Sequence, residues 1–174
     1  MFGRWFRRGL SVADQVRLDA AACQRGLAAD VAAVLAAGDA VLVLVRNAGD
    51  LSDGAAALAA HAPLVRDDAW AAGELLVHLA TPGALGLSRV DALRAVPAAS
   101  GPRAPLQVHV RGRDPGRAGD ARLLALLAPW APARVVFHHA LDDALLRPHA
   151  GQLGPLLERL GLGADEAVAS PLLT

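Results

Sequence analysis

The 174-residue chain contains no lysine, no isoleucine and no tyrosine. All 17 basic side chains are therefore arginine, which we read as GC-rich coding bias. A Walker-type phosphate loop reaches the β- and γ-phosphates with a lysine, so this chain holds no such loop. Aromatics are scarce, three Trp and three Phe, and the abundant Ala implies close helix–sheet packing with few bulky anchors. The one cysteine, Cys23, excludes an internal disulfide. It falls in an Ala-rich helical stretch, where a small buried thiol in a reducing compartment is expected. The net charge is zero, without the basic surface that nucleic-acid binding by counterion release requires. No apolar run approaches the ~20 residues of a membrane span, so a cytoplasmic protein without a transmembrane segment is expected.

What is present is an alternation of short apolar strands and amphipathic helices. Residues 1–10 are basic and aromatic and read as a flexible N-terminus; Phe2, Trp5 and Phe6 beside Arg4, Arg7 and Arg8 suit weak contact of residues 2–8 with anionic lipid. Residues 11–174 read as a single domain, within the size that buries its own core. Helical periodicity runs from Val12 to Ala37 and stops at Gly38. Ala40–Val45 is a continuous apolar, Val-rich run, the mark of a strand buried on both faces. A helix over Leu51–His61 follows, then brief strands at Pro63–Val65 and Glu74–Leu79, and a helix capped by Ser88 that reaches Val96. Pro97–Pro105 is a surface connection. Leu106–Val110 is the next strand, Arg117–Leu127 the next helix and Arg134–Phe137 the last strand. Two short helices, Asp142–Leu146 and Gln152–Leu160, close the chain. The fold class expected is α/β, a three-layer parallel sheet of about five strands flanked by helices.

The end of the chain carries the most specific pattern. Leu141-Asp142-Asp143-Ala144-Leu145-Leu146-Arg147 is followed by a segment ending in Leu160-Gly161, then by Glu166 and Pro171. This resembles SecA, the preprotein-translocase motor, in which L-E-D-x-L-M-R precedes L-M-x-x-L-G-M and then G-E-x-I-x-H-P-x-V-[ST]. Upstream, Ala40–Val45 and Leu106–Gly112 are similar to strands of the second nucleotide-binding domain of that family. The resemblance spans about Val31 to Thr174 and is most specific from Arg134 onward. It implies a RecA-like domain of the helicase C-terminal type, standing alone and degenerate.

In such motors ATP is hydrolysed between two domains, the second supplying arginines that stabilise the transferring phosphoryl group. Where the family has T-N-M-A-G-R-G-T-D, this chain keeps only Thr81 and Gly83, with Gly86 a fainter echo; the Arg and Asp are gone. The run Arg111-Gly112-Arg113-Asp114-Pro115-Gly116-Arg117 follows a strand, as a Gly-rich anion-binding loop would. Arg111, Arg113 and Arg117, with Thr81 and Gly83, are the candidate nucleotide- or anion-binding residues, the loop being otherwise a solvated Arg/Gly turn.

The resemblance implies an accessory or binding module without ATPase activity, linked to protein export. A SecA-type motor or another export component is its expected protein partner. No resident cofactor is expected, ATP and Mg²⁺ having a place only at an interface with a partner domain. The alternative is an ATP-binding subunit that completes a separate motor domain's nucleotide site with Arg113 or Arg117. A third reading, a metal-dependent enzyme, uses His138, His139, Asp142, Asp143 and His149; structural histidines and helix-capping aspartates are the competing account, and no metal is expected. His78 and His109 read as hydrogen-bonded structural residues, and no serine sits in a nucleophile elbow.

Overall fold

The computed structural model describes residues 10–61, 64–66, 74–93, 104–144, 146–159, 163 and 166–169. Pro63, Trp70, Leu145, Leu160, Gly161, Pro171 and most of the N-terminal segment lie outside the described residues. The first described element is a strand, β1 (Val12–Arg17), and not the start of a helix. In Val12-Ala13-Asp14-Gln15-Val16-Arg17 the large apolar residues at 12 and 16 share one face with Asp14 at period two. Asp19 then adopts an extended conformation and its carboxylate accepts from the Ala22 N–H at 2.7 Å, so α1 begins only at Ala20 and runs to Ala36. An Asp at the N-cap satisfies a helix-end donor that has no other partner.

β2 (Ala40–Val45) is buried at every position, as its unbroken apolar run requires. Asn47 caps α2 (Ala48–Leu58) in the same way as Asp19 caps α1. β3 (Leu64–Arg66) follows. Glu74–Leu79, expected as a strand, forms helix α3, with Leu75, Leu76 and Leu79 buried and Val77 turned to solvent. That is the i, i+1, i+4 stripe of a helix and not alternation. β4 (Leu85–Arg89) then occupies residues expected to lead into a helix at Ser88, and only a 3₁₀ turn over Val90–Ala92 follows it. β5 (Leu106–Arg111), α4 (Arg117–Leu127) and β6 (Arg134–Ala140) match their expected positions to within a few residues. The expected helix at Asp142–Leu146 is a turn, and one helix, α5 (Arg147–Arg159), replaces the two short ones. β7 (Val168–Ala169) ends the described chain.

The strands form one sheet in the order β3-β4-β2-β5-β6-β1-β7. All neighbours pair in parallel except β7, which runs antiparallel against Gln15 and Val16 of β1. The expected α/β class therefore holds, with helices on both faces of a mainly parallel sheet. Its added strands are β1, β4 and the short β7.

The handedness of parallel crossovers decides which helix covers which face. From β1 to β2 to β3 the chain moves in one direction across the sheet, and α1 and α2 lie together over Val41, Val43, Val45, Leu85 and Leu87. From β3 onward the direction reverses. α3 and α4 cover the opposite face, where Leu75, Leu79, Leu123 and Leu127 pack with Leu42, Leu44, Val108, Val110, Val135 and Phe137. Trp130, from the turn after α4, closes that layer. α5 extends the same face at its edge, Ala150 and Leu153 packing with Leu141 and Leu146 of the preceding turn against Val16.

Leu44 is wholly buried on the central strand. Leu44→Ala is expected to lower stability by about 3 kcal/mol, the transfer and cavity costs combined. Val77→Ala, at a position 75% exposed, is expected to change it by less than about 0.5 kcal/mol. Urea denaturation of both variants checks the assignment of α3, since a strand at Glu74–Leu79 would not single out Val77 as silent.

Candidate functional site

Neighbouring strands β2 and β5 send their following connections to opposite faces, to α2 and α4 respectively. In open α/β sheets the crevice at the carboxyl ends of such a strand pair is where ligands bind. Arg46 follows β2 at this point, and the loop Gly112–Gly116 follows β5. The chain's own side chains fill the space between them. The Arg46 guanidinium donates to the Gly112 carbonyl at 3.2 Å, to the Asp114 carboxylate at 3.4 Å and to the Asp120 carboxylate at 2.6 Å. Asp120, on the first turn of α4, also accepts from the Asp114 N–H at 3.0 Å. Asp114 in turn accepts from the Gly116 N–H at 2.8 Å. Gly119 is required beside it, because a Cβ there would collide with the Asp114 carboxylate.

Arg113 links this crevice to β1. Its Nε and Nη2 grip both oxygens of Asp14 at 2.8 and 2.7 Å, a bidentate pairing, and its Nη1 reaches Asp120 at 3.3 Å. The guanidinium lies 4.2 Å above the Phe137 ring, adding a cation–π contact. His139 Nε2 lies 2.8 Å from the same Asp14 carboxylate. Asp14 is 1% exposed. Burial pushes its pKa up, but the bonds from His139 and Arg113 outweigh that and hold it below the usual carboxylate range. Asp14 holds Arg113 in the charged form in return.

A second polar chain lies on the other face, under α1. Arg17 Nη1 is 3.1 Å from His138 Nδ1, and His138 Nε2 is 2.9 Å from His109 Nδ1. The two imidazoles stack with centroids 5.1 Å apart. Arg17 Nη2 donates to Asp30 of α1 at 3.2 Å. Gly26 lies directly over the Arg17 guanidinium, where any Cβ would collide with it. Burial is the main cause that lowers both histidines, His109 to about 4 and His138 well below its ordinary value. Cys23, beside this chain on α1, is fully buried, and burial pushes its thiol up to about 11. A thiol held protonated is a packing group and not a nucleophile.

The candidate residues named from sequence fall in separate places. Thr81 and Gly83 sit at the amino end of β4, where Gly83 N–H donates to the Gly38 carbonyl just before β2. Arg111, Arg113 and Arg117 lie at the opposite, carboxyl edge, at the end of β5 and the start of α4. The two groups are not brought together, because Glu74–Leu79 is a helix returning to the amino edge. Arg111 is half-buried on the α1 side, and Arg113 faces the other way into the Asp14 pair.

Of the residues in the SecA-like pattern, Leu141, Asp142, Asp143 and Leu146 lie in the turn after β6. Leu141 and Leu146 are buried together. Asp143 accepts from the Ala140 N–H at 2.8 Å, the Asp142 carbonyl accepts twice from Arg147, and Glu166 accepts from the Gly163 N–H. His138 and His139 were paired in the metal reading, but adjacent strand residues point to opposite faces. One meets Arg17 and the other Asp14, while His149 is exposed on α5. Among the described residues no group of three or more potential ligands gathers to hold a metal. Asp14, Arg17, Asp30, Arg46 and Asp120 were missed from sequence. Only the alternation around Asp14 and the position of Arg46 directly after β2 offered a signal.

Removing one partner of a buried ion pair leaves an uncompensated charge. Arg113→Met is expected to cost about 3 kcal/mol at neutral pH, and Arg113→Met with Asp14→Asn to cost less than the sum of the single changes. Asp14 has a lowered folded pKa, so its contribution is complete above the unfolded value near ~3.9 and is lost as pH falls through the folded one. The gap between wild type and Arg113→Met should therefore narrow as pH falls below about 4 and close only below the lowered folded pKa. Denaturant unfolding at a series of pH values reads both effects.

Set against models of known protein families and against curated proteins, the chain matches none.

Proposed function

We propose that this chain is a non-catalytic, SecA-like module that acts by binding a protein partner in protein export. The observation that carries the non-catalytic half is the filled crevice at β2 and β5. Arg46 and Arg113, the cations placed where a doubly wound sheet would receive a phosphate, are engaged by Asp14, Asp114 and Asp120. A nucleotide entering there would have to displace carboxylates already paired at 2.6 to 2.8 Å. With no lysine in the chain, nothing replaces the phosphate-loop contact. The export half rests on the pattern from Leu141 to Pro171, whose described residues form a built turn. Among the described residues no helix is long and apolar enough to cross a membrane.

Two measurements test the proposal. The purified chain is expected to show no binding of Mg-ATP at ~1 mM, a concentration that reveals interactions as weak as about −4 kcal/mol. Saturable binding in equilibrium dialysis, abolished by Arg113→Ala or Arg117→Ala, would favour the nucleotide-completing alternative. A purified SecA-type motor is expected to bind the immobilised chain, and lack of any interaction at micromolar concentration removes the export reading.

A further inference from the structure

We propose that the Ala20–Asp30 segment of α1 is a proton-sensitive latch, held to the sheet by the buried chain Asp30–Arg17–His138–His109 and released when those imidazoles take up protons. The donor sense of the chain fixes its charge state. A guanidinium only donates, so His138 Nδ1 facing Arg17 must accept. His138 then carries its proton on Nε2 and donates it to His109 Nδ1. His109 is left with its proton on Nε2, a buried atom without a hydrogen-bond partner. Both rings are neutral in this arrangement. A proton added to His109 Nδ1 would set two N–H groups against each other at 2.9 Å, and one added to His138 Nδ1 would face Arg17 at 3.1 Å.

The surroundings offer little compensation. β1 presents Arg17 and the unpartnered Gln15 Oε1, β5 presents Arg111 beside His138, and β6 presents Arg134 near His109. α1 presents Asp30 and the protonated Cys23 thiol, near which Asp142 and Asp143 lie in the turn after β6. The carboxylate that reaches the chain is Asp30, 3.2 Å from Arg17 and 3.9 Å from His138 Nδ1, and it already serves Arg17. Burial, together with Arg17, disfavours charge on both rings.

The helix segment over this chain has small groups at Cys23 and Gly26, whereas Leu27 and Val31 face the separate apolar layer on β2. Lifting Ala20–Asp30 would hydrate both histidines and withdraw Leu27 from that layer, while Val31 stays on it and β2 keeps its pairing with β4 and β5. The sign follows from linkage. The opened segment has histidines near the ordinary ~6.5 and binds more protons than the closed one, so opening becomes easier as pH falls below that value. One to two protons taken up per opening give a roughly ten- to hundredfold loss of protection per pH unit.

Hydrogen exchange of the full chain between about pH 7.5 and 4.5, corrected for intrinsic rates, reads this directly. Amides of Ala20–Asp30 are expected to lose protection with that slope, while those of Val41–Val45 change far less. Flat protection in α1, or parallel loss in α1 and β2, overturns the latch. The paired substitution His109→Asn with His138→Asn keeps hydrogen-bonding groups that do not titrate and is expected to flatten the slope. A folded variant that keeps the slope also overturns it. Should the variant not fold, the ring signals of His109 and His138 in the wild type decide, since their titration must track the opening of α1.

Discussion

A carboxylate shut away from water, Asp14, is the constraint on which the carboxyl edge of the sheet is organised. A buried charge is tolerated only when paired and hydrogen-bonded, and Asp14 takes its pairing from Arg113 and His139. Arg113 has to leave β5 at a fixed angle to reach it, over the Phe137 ring. That path brings the following loop against α4, where Asp120 gathers Arg113, Arg46 and the Asp114 N–H. One interior acid on β1 thus ties together the ends of β1, β2 and β5 and the start of α4. Such a pair adds little net stability over an apolar substitute; what it supplies is geometry.

That geometry bears on function through occupancy. The fold places a cleft where a phosphate would be received, and the chain spends its own carboxylates there. In the arginine loop that sequence alone marks as anion-binding, Arg113 is turned onto Asp14 of β1 and its neighbour Asp114 onto Arg46. The other face carries a second polar chain of opposite logic, in which one fixed cation dictates the tautomers of two neutral rings.

The parts of the fold that were legible were those with a single strong local signal. β2, β5 and β6 are short Val- and Leu-rich runs whose burial on both faces leaves no competing periodicity. β1 was lost inside a long helical stretch because Ala-rich sequence on its C-terminal side extends the helical pattern through it; Asp19 as a cap was the available boundary. α3 was lost because Glu-Leu-Leu-Val-His-Leu is apolar enough for either state, and six residues are too few for periodicity to decide. The candidate site was less legible for a physical reason. Asp14 and Arg113 lie 99 residues apart, Asp14 and His139 125 apart, and only the sheet order brings them together. His138 and His139 were visible as a pair, yet strand alternation assigns them to separate networks.

The first described strand, β1, pairs with β6, the last of the described parallel strands in chain order. During synthesis Val12–Arg17 therefore emerges long before its neighbour, and before either partner of its acid. Until then Asp14 is an unpaired charge between Val12 and Val16 on one face of the strand, which is the kind of residue that discourages edge-to-edge association. The same carboxylate that fastens the finished sheet would thus keep its waiting strand from sticking to the wrong one while the rest of the chain is made.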